Sequence, residues 1–344
     1  MFKNVGLTIL GCLFYIASPA YAYEFTKVDT LFDSLLTDYN GLLNLKNLSL
    51  RGGDALNKID ESLKLYNSDS KAFLYDNNNL VATFKFPKEE NPQQWKQLLS
   101  DILKVGTQYS SKLSDDPKAL ETEVLTQIMK NLDKYSRIEK TNFSDNKIFY
   151  RFIDNILYVQ PKIFYSGLSD YLRNIVASHP TNEGIVLDLR NNHGGDFNEA
   201  IKTADLFLDN ALITYRESAK QPKHYYTSTE GDILNGKPLI ILTNEETASS
   251  AEIVAAALSE QSRATLIGTK TYGKDSTQQI HYIGEKKVYI TNGYFYTPSG
   301  KRISETGISP KICTGIANSC THSDKNNPNK DILIAINLIK KDLG

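Results

Sequence analysis

Apolar residues recur at helical spacing through the first part of the chain. Between residues 26 and 43 they fall at Val28, Leu31, Phe32, Leu35, Leu36, Tyr39, Leu42 and Leu43, a one-sided stripe that predicts an amphipathic helix. Trp95, Leu98, Leu99, Ile102 and Leu103 repeat the pattern after Asn91-Pro92. Leu120, Val124, Ile128 and Leu132 repeat it after Pro117, each proline suiting a first helical turn. Between the first two stripes, Ala72–Tyr75 and Leu80–Phe86 flank Asp76-Asn-Asn-Asn79, which reads as a hairpin. Residues 23–140 are therefore expected to form a mainly helical domain with one small β element, its apolar stripes serving as core.

After Asn142 the period changes. Strand-like runs appear at Lys147–Val159, Gly184–Leu189, Pro238–Thr243, Ala264–Gly268 and Lys287–Tyr296. Helical stretches lie between them at Phe164–Ala177, Asn198–Phe207 and Ala251–Leu258. Alternating strands and helices predict an α/β layer architecture over residues 141–320. Residues 321–344 are expected to be a tail with a closing helix over Asp331–Lys341. A chain of 344 residues exceeds one small core, which agrees with two structural units.

The first 22 residues change the compartment. Lys3 precedes the largely apolar Val5–Ala17, and Ala20-Tyr21-Ala22 fits the small-x-small rule for signal peptidase. Residues 1–22 read as a cleaved signal, so the protein is expected in the periplasm or medium. Leu10-Gly11-Cys12 offers a lipoprotein alternative, but its apolar stretch is very short. No other segment is apolar enough to span a membrane. Cys313 and Cys320 are the cysteines left after cleavage, and their short loop contains Gly315. Export makes a disulfide between them the expectation, against two unpaired thiols; two cysteines and a distant His322 make no four-ligand metal set. Lys and Arg number 39 against 40 Asp and Glu, so the basic excess of a nucleic-acid binder is missing. No metal or organic cofactor is expected.

Four segments carry candidate chemistry. Ser249-Ser-Ala-Glu252 matches a capping box before the apolar helix Ile253–Leu258, and such a serine is commonly a cap and nothing more. A helix N-terminus also supplies free N–H groups to a developing oxyanion, and the small neighbours Ala248, Ser250 and Ala251 let a substrate backbone approach. Lys274 follows 25 positions after Ser249, in Tyr272-Gly-Lys-Asp275. It is either a solvated turn residue or a base. As a base it needs burial to lower its pKa, and Gln278 can hold its amine. Asp188-Leu-Arg-Asn-Asn-His-Gly-Gly195 follows a buried strand, and its paired glycines allow a close approach that can aim an N–H at a carbonyl oxygen. Asp188 and Arg190 read as a structural ion pair. His193 invites a Ser-His-Asp triad, but no Gly-x-Ser-x-Gly elbow accompanies it, and His179, His224, His281 and His322 have no supporting context.

Together these segments resemble the carboxyl-terminal processing peptidases, or tail-specific proteases. Gly184-Ile-Val-Leu-Asp-Leu-Arg-Asn-Asn-His-Gly-Gly195 is similar to that family's strand and glycine loop. Asn244-Glu-Glu-Thr-Ala-Ser-Ser-Ala-Glu-Ile253 resembles its nucleophile segment, and Arg263–Lys274 with Gln278 its lysine segment. Tyr296–Ile303 with Gly307-Ile-Ser-Pro310 completes the series over 184–312, and Leu132-Asp-Lys-Tyr-Ser136 looks like the end of the family's helical part. The resemblance implies a Clp-protease/crotonase-like core, with Ser249 as nucleophile, Lys274 as base and Gln278 orienting the lysine. It implies oxyanion donors in the backbone of Ser250 and of the Gly194-Gly195 loop. The chain departs from the pattern at Glu246-Thr247 (usually Gly-Ser), at His193 (commonly proline) and at Ser250-Ala251 (usually Ala-Ser). Many members carry a PDZ domain between the helical part and the core. The few residues between Ser136 and Ile148 leave no room for one, and Gly53–Asp60 only faintly echoes a PDZ loop.

The expectation is an exported serine endopeptidase using a Ser-Lys dyad on protein or peptide substrates, cut near their C-termini, with an adaptor standing in for the PDZ domain. The rival expectation is a non-catalytic binding protein on the same fold.

Overall fold

The computed structural model describes residues 23–88, 90–140 and 148–342. The signal sequence expected at 1–22 lies outside the described residues. The chain divides into two compact units, one of residues 1–32 with 44–131, the other of 33–43 with 132–344.

The early elements are helices α1 (Thr26–Asp38), α2 (Leu45–Gly53) and α3 (Ala55–Ile59), strands β1 (Leu63–Asn67), β2 (Lys71–Asp76) and β3 (Asn79–Lys85), and helices α4 (Pro92–Tyr109), α5 (Ser111–Asp115) and α6 (Pro117–Met129). Helix α4 starts where the sequence says it should. Asn91 takes the N-cap, its side chain accepting the Gln93 and Gln94 N–H groups, and Pro92 follows in the first turn. The stripe Trp95, Leu98, Leu99, Ile102 and Leu103 is buried, and α4 packs on α2. The expected hairpin is β2 and β3, extended by β1 into a three-stranded antiparallel sheet.

The second unit continues with β4 (Arg137–Lys140), β5 (Ile148–Ile153), β6 (Ile156–Pro161), α7 (Leu168–Ser178), β7 (Gly184–Asp188), α8 (Phe197–Asp205), β8 (Leu212–Glu217), β9 (His224–Thr227), β10 (Leu239–Thr243), α9 (Ser250–Glu260), β11 (Thr265–Gly268), β12 (Ser276–Ile283), β13 (Lys286–Tyr296), β14 (Ile312–Cys313) and α10 (Lys330–Asp342). Its main sheet has the order β14-β11-β10-β7-β6-β5, parallel except for β5. Strands buried on both faces read as continuous apolar runs, and β7 and β10 are such runs. Ile185, Leu187, Leu239 and Ile241 face a core shared with α7, α8 and α9. Val186, Ile240 and Leu242 face the other way, against Ile332, Ala335, Ile336 and Ile339 of α10. Each such side chain contributes about 1.5–3 kcal/mol by leaving water. A second sheet, β12-β13-β8-β9, has β4 on β13. This is the α/β fold the alternating pattern predicts.

The boundaries differ from those read in the sequence. Residues 132–140 count with the second unit because β4 pairs with β13. The closing helix expected over Asp331–Lys341 is α10, and it covers the second face of the main sheet. The single strand expected over Lys147–Val159 is two, because Asp154 and Asn155 both take positive φ (49° and 62°) and turn β5 back on β6.

Candidate active site

The carboxyl ends of three neighbouring parallel strands, β7, β10 and β11, release the three segments singled out in the sequence. Ligands of α/β sheets bind outside such strand ends. From β7 the chain runs into Asn191–Gly195, from β10 into Asn244–Ser249 and then α9, and from β11 into Thr269–Lys274 and then β12.

Ser249 heads α9 with φ 57° and ψ −119°. A positive φ is unfavourable for any residue with a Cβ, and such strain persists where its surroundings enforce it. The loop from β7 is one enforcer. Gly194 (φ 98°) lies so close that a Cβ there would meet the Ser249 Cβ at 2.8 Å. Gly195 (φ 140°) is pressed against Phe164, where a Cβ would meet the carbonyl oxygen at 2.2 Å. Only glycine satisfies both demands.

Glu252 is the other enforcer. Its carboxylate is fully buried and accepts the N–H of Ser249 (2.9 Å) and the N–H of Lys274 (2.8 Å) on one oxygen, Oε2. On Oε1 it accepts the Gly273 N–H at 2.7 Å and the Thr271 hydroxyl at 2.5 Å. One acidic side chain thus fixes the backbone at both candidate reactive residues. Burial pushes its carboxyl above the usual range, while the four hydrogen bonds favour the ionised form. The fourth sequence motif supports the same loop. Thr271 donates its N–H to the Ile308 carbonyl, and Glu305 donates to that of Gly273.

Lys274 is half-buried. Its pKa is lowered to about 8, first by burial and then by the Arg137 charge, with Glu252, Asp133 and Glu139 pulling the other way. Its Nζ donates to Gln278 Oε1 (3.1 Å), and Gln278 is held by donating its own Nε2–H to Ser276 Oγ (2.8 Å). The amine lies 5.3 Å from the centre of the Tyr135 ring. Asp133 fastens that segment by accepting the Tyr135 N–H (2.8 Å) and the Thr291 hydroxyl (2.9 Å).

Asp188 and Arg190 form the expected ion pair at 2.6 Å, with Asp188 fully buried. Arg190 also reaches Asp331 (3.0 Å) and the Pro328 carbonyl (2.7 Å) at the start of α10. Tyr158 donates its hydroxyl to Asp188 at 2.6 Å. These contacts spend the arginine on structure. Arg190, Pro328 and Asp331 line a cleft of about 600 Å³ that also holds Asn191, Asn244, Glu245 and His193. His193 is 71% exposed there and meets Glu246 at 3.8 Å, so two of the three departures from the family pattern contact each other. Cys313 and Cys320 are joined as a disulfide with Cα atoms 4.9 Å apart.

The sequence singles out Ser249, Lys274 and Gln278 as candidates but gives no sign of the reach of Glu252 and Asn192. The capping-box spacing marks Glu252, yet nothing in the linear order says its carboxylate also holds the lysine loop. Among the described residues no group of His, Cys, Asp and Glu is arranged to hold a metal ion, and no helix is long and apolar enough to cross a membrane.

Residues 155–314 match the model of the family described as Peptidase family S41. The carboxy-terminal-processing protease of Bartonella bacilliformis is 40% identical over 152 residues, covering 43% of this chain and 35% of that protein. The carboxy-terminal processing protease CtpA of Bacillus subtilis is 36% identical over 131 residues, covering 38% of this chain and 28% of that one. The matched stretch thus spans about a third of the length of these relatives. A solved lipoprotein of Streptococcus agalactiae shares the fold, with a TM-score of 0.50 and 17% identity over 88% of this chain and 99% of its own. The segments that carry Gly194-Gly195, Ser249 and Lys274 all lie inside the stretch that matches peptidase family S41.

Proposed function

We propose that the chain is an exported serine endopeptidase working through a Ser249-Lys274 dyad. The observation that carries this reading is the state of the Lys274 amine, half-buried, tied to Gln278 and lowered to a pKa of about 8. A solvated turn lysine stays charged and cannot take a proton, whereas this one is neutral in a substantial fraction near pH 8.

In this mechanism the Ser249 oxygen attacks the scissile carbonyl and Lys274 takes its proton. Backbone N–H groups of Ser250 and the glycine loop hold the negative charge on the tetrahedral oxygen. The protonated amine then gives its proton to the leaving amine, and water deacylates the serine. Gln278 keeps the amine aimed through both steps. The names of the relatives support protein substrates cut toward their C-termini. The short leader and the Cys313–Cys320 bridge support export. An adaptor that presents substrate is part of the proposal, because the few residues between Ser136 and Ile148 leave no room for a PDZ domain at that point of the chain.

The test is cleavage of an unfolded protein and of a fluorogenic peptide by the wild type, Ser249→Ala and Lys274→Ala. Both variants should fold and lose activity, and the double variant should be little worse than either single one. Activity should rise with pH through about 8, as the lysine loses its proton. His193→Ala should keep that rise. Near-normal activity in Lys274→Ala removes the dyad, and a rise that disappears in His193→Ala moves the base to histidine. A folded wild type that cleaves nothing while binding peptides supports the rival binding protein.

A further inference from the structure

The Gly194 N–H has a partner. It donates to Asn192 Oδ1 at 2.9 Å. Asn192 is completely buried, and each of its other polar groups is used on a different part of the site. Its Nδ2 donates to the Pro161 carbonyl at the end of β6 (2.8 Å). Its own carbonyl accepts the Ala248 N–H, one residue before Ser249 (3.0 Å). The Gly194 carbonyl accepts the Phe164 N–H at 2.9 Å. Ser250 completes the grip from the other side, its hydroxyl donating to the Gly195 carbonyl at 3.0 Å. That hydroxyl stands where the resembled family usually has alanine.

This leaves two backbone donors beside Ser249 without a partner among the described residues, the N–H groups of Gly195 and Ser250. A loop of two glycines has unusually free backbone torsions, so some other group must hold its N–H vectors in place. A donor that must be reoriented during the reaction loses the advantage of being fixed beforehand.

We infer that the side chains of Asn192 and Ser250 are positioning residues that clamp the Gly194-Gly195 loop, so that the Gly195 N–H acts with that of Ser250 as the oxyanion donor pair. Asn192 holds the loop to β6 and to the nucleophile segment, and Ser250 holds it to the start of α9. Neither side chain touches substrate. The inference rests on the serine peptidase reading and narrows its donors, taking the Gly194 N–H out of the pair. It also assigns a role to a residue at which this chain departs from the family pattern.

The experiment uses the full secreted chain and its Asn192→Ala and Ser250→Ala variants, with Ser249→Ala as the blank. Turnover of a fluorogenic peptide gives kcat and KM separately. Hydrogen exchange of the backbone amides of 190–197, resolved to single residues, follows the loop without any reaction. Asn192→Ala should lower kcat about 100-fold, the worth of one oxyanion donor, with KM within about threefold. Ser250→Ala should lower kcat about fivefold, the worth of one neutral hydrogen bond. In Asn192→Ala the Gly194 amide should lose its protection. If kcat stays within threefold of wild type in Asn192→Ala, or if Gly194 keeps its protection there, the clamp is wrong. If Asn192→Ala does not fold, Ser250→Ala decides alone, and an unchanged kcat overturns its half of the grip. If the wild type cleaves no faster than Ser249→Ala, the peptidase reading has failed and the exchange result still decides the clamp.

Discussion

Helices α4 and α9 begin by opposite rules. At α4 an asparagine in relaxed extended geometry caps the first turn and a proline follows, both cheap choices for a helix start. Its apolar stripe is one-sided, and its job is packing. At α9 the N-cap Ser249 has positive φ, a buried carboxylate sits in the first turn, and every residue from Ser250 to Leu258 is buried. A half-buried amine of lowered pKa lies on the loop sewn to it. Strain and desolvated charge of this kind cost on the order of 1–3 kcal/mol each, and good packing does not require them. Where local rules are broken against stability, the break points to function. The comparison therefore singles out the start of α9 as the candidate site, and it can be broken by mutation.

The largest expected difference is in activity. Ser249→Ala should cut turnover by at least about 10³-fold while leaving the melting temperature the same or slightly higher. Leu99→Ala in α4 should do the reverse. Leu99 is fully buried, so its truncation should cost about 3 kcal/mol, seen in urea titration, while activity per folded molecule stays near wild type. A stable but inactive Leu99→Ala would break the division between a packing helix and a chemical one.

The Cys313–Cys320 bridge gives a smaller effect. It closes a loop of sequence separation 7, for which chain entropy predicts about 2.5 kcal/mol. Reduction should lower thermal stability by that order and spare turnover at low temperature. Two alkylatable thiols in the non-reduced protein would refute the bridge.

The same contrast explains what the sequence made legible. Helix α4 and strands β7 and β10 were readable because their apolar period or continuity directly reflects burial. The interval from Ser249 to Lys274 was readable because the candidate pair and its supporting motifs sit in chain order. Strands β8, β9 and β12 were not. They belong to a half-exposed sheet, with Tyr225, Ile280 and Tyr282 facing solvent, so no clean alternation marks them. The turn at Asp154-Asn155 hid inside an apolar run. The convergence of four donors on Glu252, and of three segments on Asn192, comes from strand order in space, which linear spacing does not encode.

The smallest effect is also the sharpest test of the comparison, because it asks whether the site is costly to the fold. Folding lowers the Lys274 pKa from 10.5 to about 8. Between those values the unfolded chain binds the proton and the native protein does not, so stability rises with pH across about 8 to 10.5. Below pH 8 both states are protonated and the folded protein carries the full penalty of a desolvated ammonium. Lys274→Met keeps the stem and removes the charge. At pH 7 it should therefore stabilise the protein, by on the order of 1–2 kcal/mol once solvent screening at a half-buried site is allowed for. The gain should shrink as pH approaches 10, and activity should be lost throughout. Urea titrations of both proteins at pH 7 and pH 10 measure it. A Lys274→Met variant less stable than wild type at pH 7 would mean that the lysine is a structural cation, paired in favour of the fold, and the contrast between α9 and α4 would lose its meaning.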